Sequence, residues 1–192
     1  MNFDITTPPA SEPVGLAELK SHLRIDSDDE NGTIESYSAA ARGLLETQMR
    51  RAFITQTITL KLDAFPGDGI IRLPRSPAQA ITSVAYVDTD GASQTFNSSK
   101  YVLDTASEPA RLVPAYDEDW PDTREENNAV TVVYTAGYGD AYTDVPAEVK
   151  LAIRLLAGSY FEQREAITTQ TWQIAPLGIK ALVAAYTIPE VY

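Results

Sequence analysis

The sequence has no cysteine and a single histidine, His22, among 192 residues. Without cysteine there is no disulfide, no thiolate zinc site and no cysteine nucleophile. With one imidazole, every metal site or catalytic arrangement that needs two is excluded. Carboxylates, serine, lysine and tyrosine are left to carry any chemistry. Basic residues are also scarce, with 15 Lys+Arg against 27 Asp+Glu and a formal net charge of -12. A chain this acidic repels phosphates, so binding of nucleic acid or of an anionic membrane is not expected as its main task. No apolar run reaches the roughly 18 residues of a membrane span. The opening MNFDITTPPASEP has neither a basic start nor an apolar stretch, so the expectation is a soluble protein without a targeting segment, kept in a reducing compartment.

What is present is an ordinary apolar share, 44%, enough to fill the core of one large domain or two small ones and to exclude disorder throughout. Leu16, Leu19 and Leu23 recur at helical spacing and predict a short helix between Leu16 and Ile25. After the acidic run Asp26-Ser-Asp-Asp-Glu30, a longer helix carries Ile34, Tyr37, Ala41, Leu44, Leu45 and Met49 on one stripe. Ser27 and Glu30 have capping-box spacing at its start. From Phe53 the period becomes two, with Ile58, Leu60 and Leu62 alternating with Thr57, Thr59 and Lys61. Short strands are predicted at Ile70–Leu73, Ile81–Asp88, Ser93–Phe96, Tyr101–Asp104, Arg111–Val113 and Val130–Tyr134. Asp90-Gly91 marks a hairpin and a polar loop runs from Tyr116 to Asn128. Helical period returns with Pro146 in a first turn and Val149, Ile153, Leu156 and Tyr160 on one stripe. A last helical segment spans Leu177–Tyr186.

This order predicts an α+β fold: a small helical bundle built from both chain ends, residues 1–52 with 145–192, and an inserted antiparallel β domain at 53–144. The insertion holds 14 acidic and 6 basic residues, and residues 145–192 hold four of each.

No motif marks a catalytic, metal or cofactor site. The run Asp26–Gly32 has calcium-loop composition, yet the sixth and twelfth positions are Asn31 and Tyr37 where that loop needs Gly and Glu. Gly137-Tyr-Gly139 lacks the third glycine and the directly following helix of a dinucleotide turn. Paired acids in the 117–126 loop, Asp117 and Asp119 among them, leave a carboxylate hydrolase as the enzymatic alternative. The same loop holds Trp120 and Arg124, residue types favoured at protein interfaces, which makes it a candidate subunit contact. The tail residues Tyr186, Ile188, Pro189, Val191 and Tyr192 are apolar and strand-prone. They would serve either to engage a partner or to fold back on the bundle.

Several stretches together resemble the head-tail connector proteins of long-tailed phages, prophages and gene-transfer agents. They are Thr7-Pro-Pro-Ala10, Glu12-Pro-Val-Gly-Leu-Ala-Glu-Leu-Lys20 with His22-Leu-Arg24, Ile71-Arg-Leu-Pro-Arg75-Ser-Pro77, Tyr86-Val-Asp-Thr-Asp-Gly91, Thr135-Ala-Gly-Tyr-Gly-Asp140, and Pro146 with the apolar helix ending Tyr160-Phe-Glu-Gln-Arg-Glu165. The resemblance implies a non-enzymatic virion protein that docks on the portal protein after DNA packaging. It implies a ring, usually dodecameric, of neighbouring copies, which extends the DNA channel toward a stopper or tail-side neck protein while the DNA passes without specific binding. The location so implied is the virion neck, after assembly from the bacterial cytoplasm. By the same resemblance the tail from Tyr186 to Tyr192 is the portal-docking segment. Another neck or tail-completion protein of the virion is the alternative within this class. The segment Ala166–Ala175 has no counterpart in the resemblance.

Overall fold

The computed structural model describes residues 2–163 and 177–189. It is an α+β fold in two compact units. One comprises Met1–Ala10 and Thr55–Tyr138, the other Ser11–Ile54 and Gly139–Tyr192.

The first unit is all strand. A five-stranded antiparallel sheet runs in the order β1 (Asn2–Thr7), β2 (Gln56–Leu62), β8 (Val130–Ala136), β4 (Ala78–Val87), β5 (Ser93–Thr95). A three-stranded sheet has the order β3 (Ile71–Arg72), β7 (Arg111–Pro114), β6 (Tyr101–Asp104). β2 and β8 alternate strictly between buried and half-buried residues. Their register sets Ile58 opposite Tyr134, Leu60 opposite Val132 and Leu62 opposite Val130. Each such side chain removed from water contributes about 1.5–3 kcal/mol, so this central pair anchors the unit. β4 breaks the alternation because its register slips twice against β8, between Ala78 and Ala80 and between Ile81 and Ser83. The β4–β5 turn forms at Asp88–Ala92, where Gly91 takes φ +86. Asp88 Oδ1 accepts from the Asp90 and Ala92 amides at 3.1 and 2.8 Å. The Gln94 amide, bonded to Asp88 Oδ2 at 2.8 Å, and then the Ala92 N–H hold the Asp88 carboxyl below its usual range.

Strand β1 is a finding that the sequence pattern does not predict, because residues 1–10 were expected with the helices. Only Phe3 of β1 is even half-buried, as on an edge strand whose outer face meets water. A stretch that buries one side chain leaves no periodic signature. Phe3 lies beneath the Arg75 guanidinium, 5.6 Å from ring centroid to cation.

The second unit is helical: α1 (Leu16–Leu23), α2 (Asn31–Met49), α3 (Ala147–Glu162) and α4 (Leu177–Ala184). The buried positions of α2 are Ile34, Ser38, Ala41, Leu45, Glu46 and Met49. Of the expected stripe, Ile34, Ala41, Leu45 and Met49 are buried, Tyr37 and Leu44 are only half-buried, and the polar Ser38 and Glu46 are drawn inside. α3 buries Val149, Ala152, Ile153, Leu156, Ala157 and Gly158, a wide face that suits a helix contacting α1, α2 and α4. Pro146 is its N-cap residue rather than part of its first turn. The expected capping box at Ser27 and Glu30 does not form. Glu30 takes the N-cap position and its side chain does not cap the helix amides, Ser27 instead closes a local turn with Asp29, and Asp28 pairs with Lys20 at 2.6 Å. Short polar side chains bond their own backbone readily, and here that competes with capping. At Gly139 an added Cβ would lie 2.1 Å from Asp144 Oδ2, the carboxylate that accepts the Ala141 amide. This glycine is therefore required by close approach and not by any phosphate.

Candidate docking surfaces

The tail is built into the helical unit as far as the structure describes it. Helix α2 ends at Met49 and Arg50 follows in the left-handed region, φ 56. The last carbonyls of a helix lack partners inside it, and the Ile188 N–H donates to that of Met49 at 3.1 Å. Arg50 Nη1 donates to the Ile188 carbonyl at 3.2 Å, and Arg51 Nε donates to the Tyr186 carbonyl. Ile188 is 3% exposed. The Tyr186 hydroxyl donates to Glu148 Oε2 at 2.9 Å. Glu148 sits in the first turn of α3, where its own backbone N–H and then the Tyr186 hydroxyl hold its carboxyl below the usual range. The same bond raises the Tyr186 hydroxyl. Residues 186–188 are thus a latch on their own unit, the fold-back alternative of the sequence reading. Pro189 is exposed. Val191, Tyr192 and the segment Ala166–Ala175 lie outside the described residues.

Beside the latch is a polar cluster that the sequence reading missed. Glu46 is 2% exposed on the core side of α2. Its Oε2 accepts from Arg42 Nη1 at 3.0 Å and its Oε1 from the Phe53 amide at 2.8 Å. Arg42 also grips Glu12 with Nε and Nη2, at 2.8 and 3.2 Å. Burial opposes the charge of Arg42, and the bonds to Glu12 and Glu46 outweigh it, raising its pKa. The i, i+4 spacing of Arg42 and Glu46 was the available signal.

In the β unit, the ring of Trp120, the candidate subunit contact, stacks on Phe65 at 4.7 Å, within 4° of parallel, and meets Phe96 at 5.2 Å. Its Nε1 donates to the Gly69 carbonyl at 2.9 Å. With Tyr86 and Tyr101 these rings form an aromatic cluster that pins the long loop to its own unit. Arg124 keeps a side chain 55% exposed, 3.6 Å from Glu126, and lies against the turn at Gly91.

Among the loop acids, Glu118 pairs with Lys100 at 2.9 Å. Glu125 and Glu126 line a cleft of about 390 Å³ with Asp63, Thr123 and Arg124, and Asp117 and Asp119 do not line it. His22 is exposed on α1, where α1 passes close to Gly158 of α3. Among the described residues no three acidic or histidine side chains group as metal ligands.

The fold is shared with solved structures. A chain from the virion of a native gene transfer agent particle superposes with TM-score 0.82 at 23% identity, covering 100% of this chain and 98% of that one. A chain from the neck of an empty particle, computed with C6 symmetry, gives 0.82 at 24% with the same coverage. One from the neck of a native particle, computed with C12 symmetry, gives 0.79 at 24%, again with 100% and 98% covered. No curated protein matches the sequence. Residues 14–108 match the family described as phage gp6-like head-tail connector proteins. This segment runs from the start of the helical unit through α1 and α2 into the β unit as far as the β6–β7 turn, and over it the chain is similar to the head-tail connector family.

Proposed function

We propose that the protein is the head-tail adaptor of a phage-type or gene-transfer-agent particle: a structural, non-enzymatic component of the virion neck that sits as a ring on the portal and continues the DNA channel toward the tail. The observation that carries this reading is the family match over residues 14–108, joined to a fold shared end to end with chains from gene transfer agent particles. The C6 and C12 symmetry of two of those necks supports a ring of copies, twelve in the fuller case. The net charge of -12 suits a wall past which DNA must slide, since phosphates are retained by clustered cations and repelled by acids. With Tyr186 and Ile188 held by the protein's own helices, the portal-docking part of the tail begins at Pro189 and runs to Tyr192.

The test is a reconstruction of the particle neck at side-chain resolution, with residues 186–192 traced, alongside co-sedimentation with the portal. The expected result is a ring of this chain against the portal with the segment from Pro189 outward in contact. Failure to bind the portal, together with density for this chain on tail components instead, would make it a tail-completion protein.

A further inference from the structure

A ring of identical copies needs two different, mutually complementary patches on each copy, and at -12 per copy those patches must avoid acid against acid. The helical unit carries such a pair. The first patch is a groove of about 630 Å³ between α1 and the first half of α2. Val14 and Leu19 line it, each 1% exposed, and Glu35 and Ser36 stand exposed beside it. Ser38 also lines it, 2% exposed, and its hydroxyl has no hydrogen-bond partner among the described residues. A buried hydroxyl is rarely left so in a complete structure, and an incoming polar group, donor or acceptor, would complete it.

The second patch is α4. Ile179 and Val183 are buried, while Gly178, Lys180, Ala181 and Ala184 are exposed. This outer face is small and smooth, with one cation. Lys180 is the only charged residue from Ala166 to Pro189; the flanking acids in the chain are Glu165 and Glu190. Among the described residues only Arg24, Lys61 and Lys180 are cations that neither meet an acid, a carbonyl nor an aromatic ring. Arg24 is followed by Asp26, Asp28, Asp29 and Glu30, which repel an acidic groove, and Lys61 is half-buried on β2. Lys180 is the cation with no competing acid on its own helix.

Resting on the ring reading above, we propose that α4 of one copy docks in the α1/α2 groove of the next, its Lys180 ammonium donating to Glu35 and to the Ser38 hydroxyl. The small residues of α4 let the helix approach, and the three ammonium donors satisfy both oxygens.

The absence of cysteine makes the test clean. The double variant Glu35→Cys/Lys180→Cys, assembled into particles and treated with a short bismaleimide, should give a ladder of covalent multimers on a denaturing gel. Either single variant should stay monomeric. In parallel, Glu35→Lys and Lys180→Glu should each lower the yield of complete necks at least several-fold, and the double charge swap should restore it. A ring visible in the neck with no ladder and no restoration overturns this docking and leaves the ring reading intact. Necks that contain the protein without any ring of it overturn both.

Discussion

Replacing Glu46 by alanine should unseat the junction where α2 ends and the chain turns toward the sheet. The carboxylate is 2% exposed and holds two donors, the Arg42 guanidinium and the Phe53 amide. Phe53 is itself 0% exposed, so its N–H has no water to turn to, and leaving such a donor unpaired costs about 1–3 kcal/mol. Removing one partner of a buried ion pair costs about 3–5 kcal/mol, of which the orphaned amide is a part. Glu12 still neutralises Arg42 from its other side, so the total should fall near the lower end, about 3 kcal/mol. Glu46→Gln keeps an acceptor for Phe53 but turns an amide NH₂ toward Arg42, and should lose roughly half as much. Glu12→Ala removes the more solvent-exposed arm and should cost about 1 kcal/mol or less. Urea unfolding followed by helical circular dichroism measures all three, and a cycle with Arg42→Ala isolates the coupling. A loss below about 1 kcal/mol for Glu46→Ala at unchanged urea dependence would refute the assignment of Glu46 as the buried hub.

Trp120→Ala should destabilise the β unit by about 2–4 kcal/mol, since it removes a stacked, half-buried indole and leaves the Gly69 carbonyl without its donor; a stability within about 0.5 kcal/mol of the parent, as for a surface site, would contradict this internal packing. Ile188→Ala should cost about 2–4 kcal/mol in the helical unit, whereas deletion of residues 190–192 should leave urea unfolding unchanged and weaken portal binding. Asp104 is held down to about 2 by Arg111, with Ser107 assisting. A carboxyl depressed on folding contributes stability above its unfolded value near 4 and loses it as pH falls toward 2. The stability gap between the parent and Asp104→Asn should therefore be constant at neutral pH and close over that acid window; a gap that persists at pH near 2 contradicts the pairing.

Where burial repeats along the chain, the sequence is readable. β2 and β8 alternate because one face of each is in the core, and Ile34, Ala41, Leu45 and Met49 recur on α2 for the same reason. Asp90-Gly91 announces its turn because glycine reaches the positive φ it needs. β1 was not legible, since an edge strand with five of six residues exposed has no buried period to display. The internal partners of Trp120 were not legible, because Phe65, Phe96 and Gly69 are remote in sequence and only the fold brings them to its ring and N–H. Glu46 was not singled out, because nothing local says that Phe53 will bring a buried amide to it.

The absences with which the sequence begins act whatever the fold: no cysteine and one histidine remove disulfide, thiolate and two-imidazole chemistry because the atoms are missing, and the surplus of acids disfavours phosphate binding. Local periodicity adds the helices, the main strands and an α+β class. The tertiary structure alone decides that residues 186–188 are a latch and not a free tail, and that residues 2–7 complete a sheet. It also closes a groove between α1 and α2 beside Glu35 and Ser38. Each of these depends on which distant segment supplies a partner, to a carbonyl at Met49, to an edge at β2, or to a gap between α1 and α2, and no local pattern of residue types encodes that choice.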